Sequence, residues 1–340
     1  MTENQGAPHT SRLRRADVAR LARGARPFAS GVNSAALQVL RDWAESEIEA
    51  ADVELPSVFE LDDDALYAVV TLVGSPTALA EGLPDGTEPV RAVAALERAV
   101  GKSVRGVLPI NTAGENAVLA LAAAAALGVD LVDADACGRV RPTVQDTLLT
   151  LAGVPIAPCA IASPLGETTL VDGMTARVAQ IVPRLVGASG GWAFFAGYAL
   201  TGREVRAHAN PGTISRYLEA EPGNELAGVP HRTLLRATIT NIESVDGVTL
   251  RTSILMTELV ADGFGRRVRV DADESYLGAL ADGVPLQSAA HELFVISESG
   301  EVLDPERCLP GMRVALVAVE LPGAWEAAST HTTGRERDVI

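Results

Sequence analysis

The chain is poor in the residues that several common chemistries require. Lys102 is its only lysine, so Schiff-base catalysis has a single candidate and we discount it. The three cysteines, Cys137, Cys159 and Cys308, lie far apart without C-x-x-C spacing, which indicates neither a zinc knuckle nor a disulfide framework. There is no H-x-x-H or H-E-x-x-H pattern, and the run Gly187-Ala188-Ser189-Gly190-Gly191, which matches G-x-S-x-G, follows a predicted helix instead of the strand that a nucleophile elbow requires. The sequence therefore predicts neither a histidine zinc site nor a serine hydrolase of the usual α/β type.

Long apolar runs are also missing. The alanine-rich run at 117–127 is too short, and too closely followed by Asp130, to cross a bilayer. The first residues lead into arginines without the apolar stretch of a signal peptide. We therefore expect a cytoplasmic protein without a membrane partner.

Positive charge is scarce outside the N-terminus. The formal net charge of -16 and the pI near 4.8 argue against a nucleic-acid surface, because the field of the protein would repel polyphosphate. The basic N-terminal arm, residues 1–30, is the exception: six arginines surround the single acid Asp17 between residues 12 and 26. We favour a solvated helix that pairs with the acidic body over an arm that binds nucleic acid.

The length of 340 residues and the hydrophobic content of 47% predict two domains with separate cores. Strand and helix patterns alternate in residues 31–165, which is typical of an α/β domain with a parallel or mixed sheet. Its predicted helices are 33–50, 89–100, 115–127 and 143–152, and its predicted strands are 66–73, 104–108 and 129–132. The breaker cluster Gly74-Ser75-Pro76-Thr77 predicts a loop at the carboxyl end of the first strand.

The pattern changes after Pro155 and Pro158, and a linker between about 158 and 172 is expected. A helix at 173–186 is followed by short β-rich runs at 193–200, 234–242, 248–256, 266–271, 293–297 and 313–320. We therefore predict that residues 166–326 form a β-rich C-terminal domain, either a sandwich or barrel-like. Residues 327–340 are expected to form a polar tail.

The strongest candidate site follows the strand at 129–132. Asp133 and Asp135 alternate with Ala134, so both would project the same way from a continuing strand. As a close pair they suit a general acid or base, or a divalent cation bound through oxygen, while Arg139 suits a carboxylate group. The alternative is structural: the acids cap a turn and Asp135 pairs with Arg139. Cys137, between them, is either a nucleophile or a small buried residue.

A second polar loop, residues 111–116, precedes the helix at 115–127. Thr112 can cap this helix, Gly114 allows a substrate to approach the backbone, and Asn116 can contact the substrate. Ligands of open α/β sheets bind beyond the carboxyl ends of the strands, where both loops are expected. The two loops thus predict one site.

Several segments together resemble the S-methyl-thiohydantoin desulfurase-like proteins, a family often encoded beside hydantoinase/oxoprolinase subunits. The resemblance covers roughly residues 25–325 and depends on five runs: Gly74-Ser75-Pro76-Thr77, Gly114-Glu115-Asn116, Asp133-Ala134-Asp135-Ala136-Cys137-Gly138-Arg139-Val140-Arg141-Pro142-Thr143-Val144-Gln145, Pro211-Gly212-Thr213-Ile214-Ser215 and Leu309-Pro310-Gly311-Met312-Arg313-Val314. The D-x-D-x-x-G-R-x-x-P stretch is the most specific of them.

The resemblance implies hydrolysis of a small five-membered cyclic imide, hydantoin or thiohydantoin. Asp133 and Asp135 would then activate water, directly or through a divalent metal. Arg139 is placed with them as catalytic, and the substrate-binding set is Thr112, Gly114, Asn116 and Gln145. A homo-oligomer is expected.

The chain also departs from the family pattern. The glycine-rich loop of the family is barely retained at 24–33, and Asn111 and Thr143 stand where the family tends to carry acids. These departures keep a second hypothesis open: a non-catalytic partner subunit of a hydantoinase/oxoprolinase-type complex.

Overall fold

The computed structural model describes residues 11–28, 34–50, 52–138, 143–245, 251–261, 265–272, 276–288 and 291–325. In this part of the chain, one compact unit extends to Leu218 and a second begins at Glu219. The sequence placed the boundary after residue 165, so the first unit contains about fifty more residues than expected.

The first unit is built on a six-stranded mixed sheet. Its strands are β3 (Leu66–Gly74), β4 (Val104–Pro109), β5 (Asp130–Leu131), β7 (Cys159–Ala162), β8 (Thr168–Val171) and β9 (Trp192–Thr201). Their order is β5-β4-β3-β9-β7-β8, in which β3, β4 and β5 are parallel and the other pairings are antiparallel. Two small pairs lie outside this sheet: β1 (Ser11–Leu13) with β2 (Val53–Leu55), and β6 (Ala134–Asp135) with β10 (Asn210–Pro211).

The helices of this unit are α1 (Arg15–Ala25), α2 (Ser34–Ala50), α3 (Pro76–Glu81), α4 (Glu88–Val100), α5 (Glu115–Leu127), α6 (Leu148–Leu151), α7 (Thr175–Ala188), α8 (Gly202–His208) and α9 (Thr213–Leu218). The α/β class and the predicted helices α2, α4, α5 and α7 are confirmed. The apolar side chains of α5 occur all around its axis, and Ala117 to Ala124 are buried. Such a helix needs apolar partners on every side, which it finds in α2, β3 and β4.

The linker expected at 158–172 is wrong. These residues form the hairpin β7–β8, and every residue of β7 is buried against β9. The two prolines precede the strand, where a missing N–H removes no ladder hydrogen bond. The run at 193–200 was assigned to the second domain, but as β9 it pairs with β3 in the centre of the first sheet.

The helix expected at 143–152 is also largely wrong. Only Leu148–Leu151 are helical, with the Thr147 side chain accepting a hydrogen bond from the Thr150 N–H. Residues 143–147 form turns instead. The predicted loop at 74–77 is shorter than expected, because Ser75 caps a helix that begins at Pro76.

The second unit is an antiparallel eight-stranded sheet, which confirms the predicted β-rich C-terminal domain. Its strands are β11 (His231–Val245), β12 (Arg251–Glu258), β13 (Arg267–Ala272), β14 (Tyr276–Ala281), β15 (Val284–Pro285), β16 (His291–Ser297), β17 (Val302–Leu303) and β18 (Arg313–Glu320). β14 and β17 are separated in the strand order, yet the Tyr276 hydroxyl donates to the Leu303 carbonyl at 2.6 Å. The sheet therefore curls towards a barrel.

The basic N-terminal segment pairs with acids of the first unit. Arg12 forms ion pairs with Glu54 and Asp52, Arg15 with Glu45, and Arg20 with Asp17. The segment is less solvated than expected, because Val18, Leu21 and Ala22 of α1 are buried. In the part of the chain that the structure describes, no helix is long and apolar enough to cross a membrane.

We expect no cysteine to react with a disulfide reagent at pH 8 while the protein is folded. Cys137, Cys159 and Cys308 are all buried, and burial raises the pKa of Cys159 to about 12, so its reactive thiolate is scarce. Titration with Ellman's reagent should give no rapid reaction in buffer and all three thiols in guanidinium. One fast thiol assigned to Cys137 would contradict this expectation and restore its nucleophilic alternative.

Candidate functional site

A cavity of about 400 Å³ lies in the first unit, beyond the carboxyl ends of β3 and β4. The described residues that line it are Thr71, Leu72, Val73, Gly74, Ile110, Asn111, Asn116, Thr143, Val144, Gln145, Ala179, Val182, Pro183 and Val186. None of these side chains is ionisable. The volume suits a small ligand, and the position is where α/β sheets usually bind one.

A chain of hydrogen bonds forms one polar side of the cavity. The Thr71 hydroxyl donates to Asn116 Oδ1 at 2.9 Å, and Asn116 Nδ2 donates to Asn111 Oδ1 at 3.1 Å. Asn111 Oδ1 also accepts the Ala113 N–H at 3.1 Å. These bonds fix the orientation of both amides, since Thr71 and Asn111 are buried and cannot exchange their partners for bulk water.

Gln145 also lines this cavity, and its amide carries a buried acceptor atom. Its Oε1 atom is buried and has no hydrogen-bond donor among the described residues. A buried carbonyl without a donor costs about 1–3 kcal/mol, so such atoms are rare and call for an explanation. A ligand with an N–H group would remove this cost.

Helix α7 contributes the apolar side of the cavity. Ala179, Val182, Pro183 and Val186 recur at helical spacing and therefore share one face. Pro183 has no N–H, so the carbonyl of Ala179 loses its usual helical donor.

The structure separates the predicted substrate-binding residues. Asn116 and Gln145 line the cavity, whereas Thr112 and Gly114 are buried outside the lining. Capping of the helix by Thr112 is wrong, because Gly114 occupies the N-cap position of α5 without a side-chain cap. Gly114 has φ of +50° and donates its N–H to Ala25, which explains a glycine here on structural grounds.

Sequence reasoning missed Thr71, Asn111 as a contact residue, and the whole wall from α7. The position of Asn111 directly after β4 was an available signal, since strand ends of parallel sheets meet at one edge. The wall residues gave no such signal, because apolar residues at helical spacing are typical of any core helix.

Asp133 does not line the cavity. Its carboxylate accepts the Ser215 N–H at 3.0 Å, and its backbone carbonyl accepts the Gly212 N–H at 2.8 Å. The two family-like runs at 133–145 and 211–215 therefore meet in space. In this arrangement Asp133 holds the first turn of α9.

Asp135 is 1% exposed and also lies outside the cavity lining. Its carboxylate accepts the N–H groups of Cys137, at 2.7 Å, and Gly138, and the Asn210 amide at 3.3 Å. Burial raises the pKa of Asp135, and these donors oppose the rise by favouring the charged form. Both acids thus have structural partners, and their catalytic role stays a prediction.

The described residues do not fit the predicted divalent metal. No group of three histidine, cysteine, aspartate or glutamate side chains among them is placed to hold an ion. Asp133 and Asp135 direct oxygens at backbone N–H groups instead. Arg139, the third residue of the predicted catalytic set, lies outside the described residues.

We expect Asp135→Ala to lower the free energy of unfolding by about 3 kcal/mol, because the Cys137 and Gly138 N–H groups lose their acceptor inside the protein. Asp64→Ala is the matched control: its side chain is 90% exposed, and the change should be within about 0.5 kcal/mol. Urea unfolding of both variants measures the difference. Equal stability of the two variants would contradict the structural role of Asp135.

Comparisons with known proteins agree with this architecture. Residues 16–173 match the family model described as S-Me-THD-like, N-terminal domain. A crystal structure of a protein from Chromobacterium violaceum superposes with a TM-score of 0.73 at 19% sequence identity, and the match covers 96% of this chain and 97% of that chain. At this identity the likeness shows a shared fold alone. No curated protein matches the chain.

Proposed function

We propose that this chain is a hydrolase of a small five-membered cyclic imide, hydantoin or thiohydantoin, because its residues 16–173 match the S-Me-THD-like N-terminal family model. The ring binds in the cavity between the Asn111–Asn116 amides and Gln145. The observation that carries the proposal is the buried, unpartnered Oε1 atom of Gln145, a residue of a cavity whose described lining residues are all uncharged.

The cavity complements the hydrogen-bonding edge of such a ring. A cyclic imide or hydantoin alternates N–H donors with C=O acceptors around five atoms. Gln145 Oε1 accepts a ring N–H, and the Nδ2 group of Asn111 donates to a ring carbonyl, because Asn111 Oδ1 is already bonded to Asn116 and Ala113. The described lining residues carry no charge, which favours the neutral ring over its anion, since a buried charge without a partner is costly.

Two hydrolytic outcomes fit this class of substrate. In a hydantoin, water adds to a ring carbonyl carbon, the C–N bond breaks, and the nitrogen takes a proton to leave a ring-opened carbamoyl acid. In an S-methyl-thiohydantoin, water adds to the carbon that bears sulfur, the C–S bond breaks, and methanethiol leaves while a ring carbonyl forms. The cavity residues orient the ring and exclude bulk water in either case.

The experiment is to incubate the protein with hydantoin, succinimide and an S-methyl-thiohydantoin and to follow products by mass spectrometry, with binding measured by calorimetry. A ring-opened acid or methanethiol, formed in proportion to enzyme, supports the hydrolase. Binding of none of the three rings would overturn the proposal.

The uncharged lining favours one alternative, a partner subunit of a hydantoinase/oxoprolinase-type complex that binds the ring without chemistry. Among the described residues, no carboxylate or histidine reaches the cavity to act as a base. Binding without turnover by the protein alone, with turnover restored by a hydantoinase-type partner, is the result expected of this alternative.

A further inference from the structure

Tyr198 of β9 has an unusual backbone. Its φ is +48°, a value that side-chain-bearing residues rarely adopt, and its side chain is fully buried. The pairing of β9 with β3 shifts register here, since Gly197 pairs with Val69 but Leu200 pairs with Tyr67. A bulge of this kind re-aims a side chain, and bulges are frequent beside functional sites.

The Tyr198 hydroxyl is directed at the segment 143–150. It donates to the Val144 carbonyl at 2.8 Å and accepts from the hydroxyls of Thr147, at 3.1 Å, and Thr150, at 2.7 Å. A phenol has one proton and two lone pairs, so these bonds use its whole hydrogen-bonding capacity. All three partners lie within seven residues of one another on this one segment.

The same segment forms part of the cavity wall. Thr143, Val144 and Gln145 line the cavity, whereas Tyr198 does not. Tyr198 therefore holds the carbonyl of the residue directly before Gln145. Residues 143–147 form turns without a helical or strand ladder, and only a few backbone hydrogen bonds, such as Thr147 N–H to Gln145 O, hold them. Side-chain bonds therefore contribute to fixing their position.

We propose that Tyr198 is a positioning residue, whose hydroxyl holds the segment 143–150 and thereby aims the Gln145 amide into the cavity. The expected effect of Tyr198 on ligand affinity rests on the proposed function. Its effect on the position of the segment 143–150 does not depend on that function and can be measured without any ligand.

The test compares Tyr198→Phe with Tyr67→Phe. Tyr67 is a matched control, because it is also a buried tyrosine of the same sheet, and it lines a different cavity, together with Asp62 and Arg105. In hydrogen exchange of the ligand-free proteins, we expect the amides of 143–150 to exchange about tenfold faster in Tyr198→Phe and unchanged in Tyr67→Phe. Hydantoin affinity should fall about tenfold in the first variant and stay within about twofold in the second.

Unchanged exchange at 143–150 in Tyr198→Phe would overturn the proposal, whether or not hydantoin binds. Faster exchange with undiminished hydantoin affinity would overturn the aiming of Gln145. If the wild-type protein binds no hydantoin, the proposed function fails, while the exchange result still decides whether Tyr198 holds the segment. If Tyr198→Phe does not fold, Thr150→Val removes one of the same bonds, and faster exchange confined to 143–150 supports the proposal while none overturns it.

Discussion

Replacing Asn116 by leucine should weaken hydantoin binding by about a hundredfold. Leucine matches the shape of asparagine but neither accepts from Thr71 nor donates to Asn111. Asn111 then keeps only the Ala113 N–H of the two donors that fix its amide, so two of the groups that face the ring are affected together. Each buried hydrogen bond lost costs about 1–3 kcal/mol, and about 1.4 kcal/mol is a factor of ten in affinity.

Calorimetry with hydantoin measures this loss, and Gln180→Leu is the matched control. Gln180 lies on α7, the helix that forms the apolar wall, but its side chain is exposed and bonds to Arg177. The control should bind as the wild type does. A loss below threefold in Asn116→Leu would show that the asparagine cluster does not contact the ring.

Gly24→Ala should destabilise the first unit by about 2 kcal/mol, although alanine is the better helix former by about 1 kcal/mol. A Cβ atom at Gly24 in α1 would overlap the carbonyl oxygen of Tyr217 and lie 2.7 Å from its carbonyl carbon and Cα. These are backbone atoms at the end of α9, so the helices must separate to accept the methyl group. Separation also disturbs the stacked rings of Phe28 and Tyr217, whose centroids are 4.9 Å apart.

The same substitution at Gly187 is the control for this prediction. Gly187 lies within α7 and a Cβ there meets no heavy atom within 4 Å. Gly187→Ala should therefore raise the free energy of unfolding by up to about 1 kcal/mol. Thermal and urea unfolding of both variants give the comparison. Equal shifts of the same sign would contradict the close contact of α1 with α9.

Much of the fold was predictable from local pattern. The run at 66–73 is apolar without alternation, which is typical of a strand buried on both faces, and it is the central strand β3. The run at 313–320 was predicted with the bounds of β18. Both predictions depend on features that lie within one short segment.

The errors concern pairings between distant segments. Residues 193–200 were correctly predicted as a strand, but no local feature indicates that β9 pairs with β3, more than a hundred residues earlier in the chain. The assignment of 158–172 to a linker failed for the same reason. A strand partner is a long-range choice that hydrophobic periodicity does not encode.

The candidate site, like the fold, was predicted only in part. Asn116 and Gln145 were placed together from the resemblance, and both line the cavity. Tyr198 was not found, because a positive φ in a tyrosine has no sequence signature. Asp133 and Asp135 were predicted to be catalytic because two closely spaced acids suit that role. Their hydrogen-bond donors in 210–215 lie more than seventy residues away in the sequence, so no local pattern indicated these structural contacts.

The most direct test of the account is a crystal structure of the protein grown with hydantoin. We expect the ring in the cavity, with an N–H within hydrogen-bonding distance of Gln145 Oε1 and a carbonyl near the Asn111 amide. Hydantoin bound elsewhere, with this cavity empty, would contradict the assignment of the cavity as the substrate site.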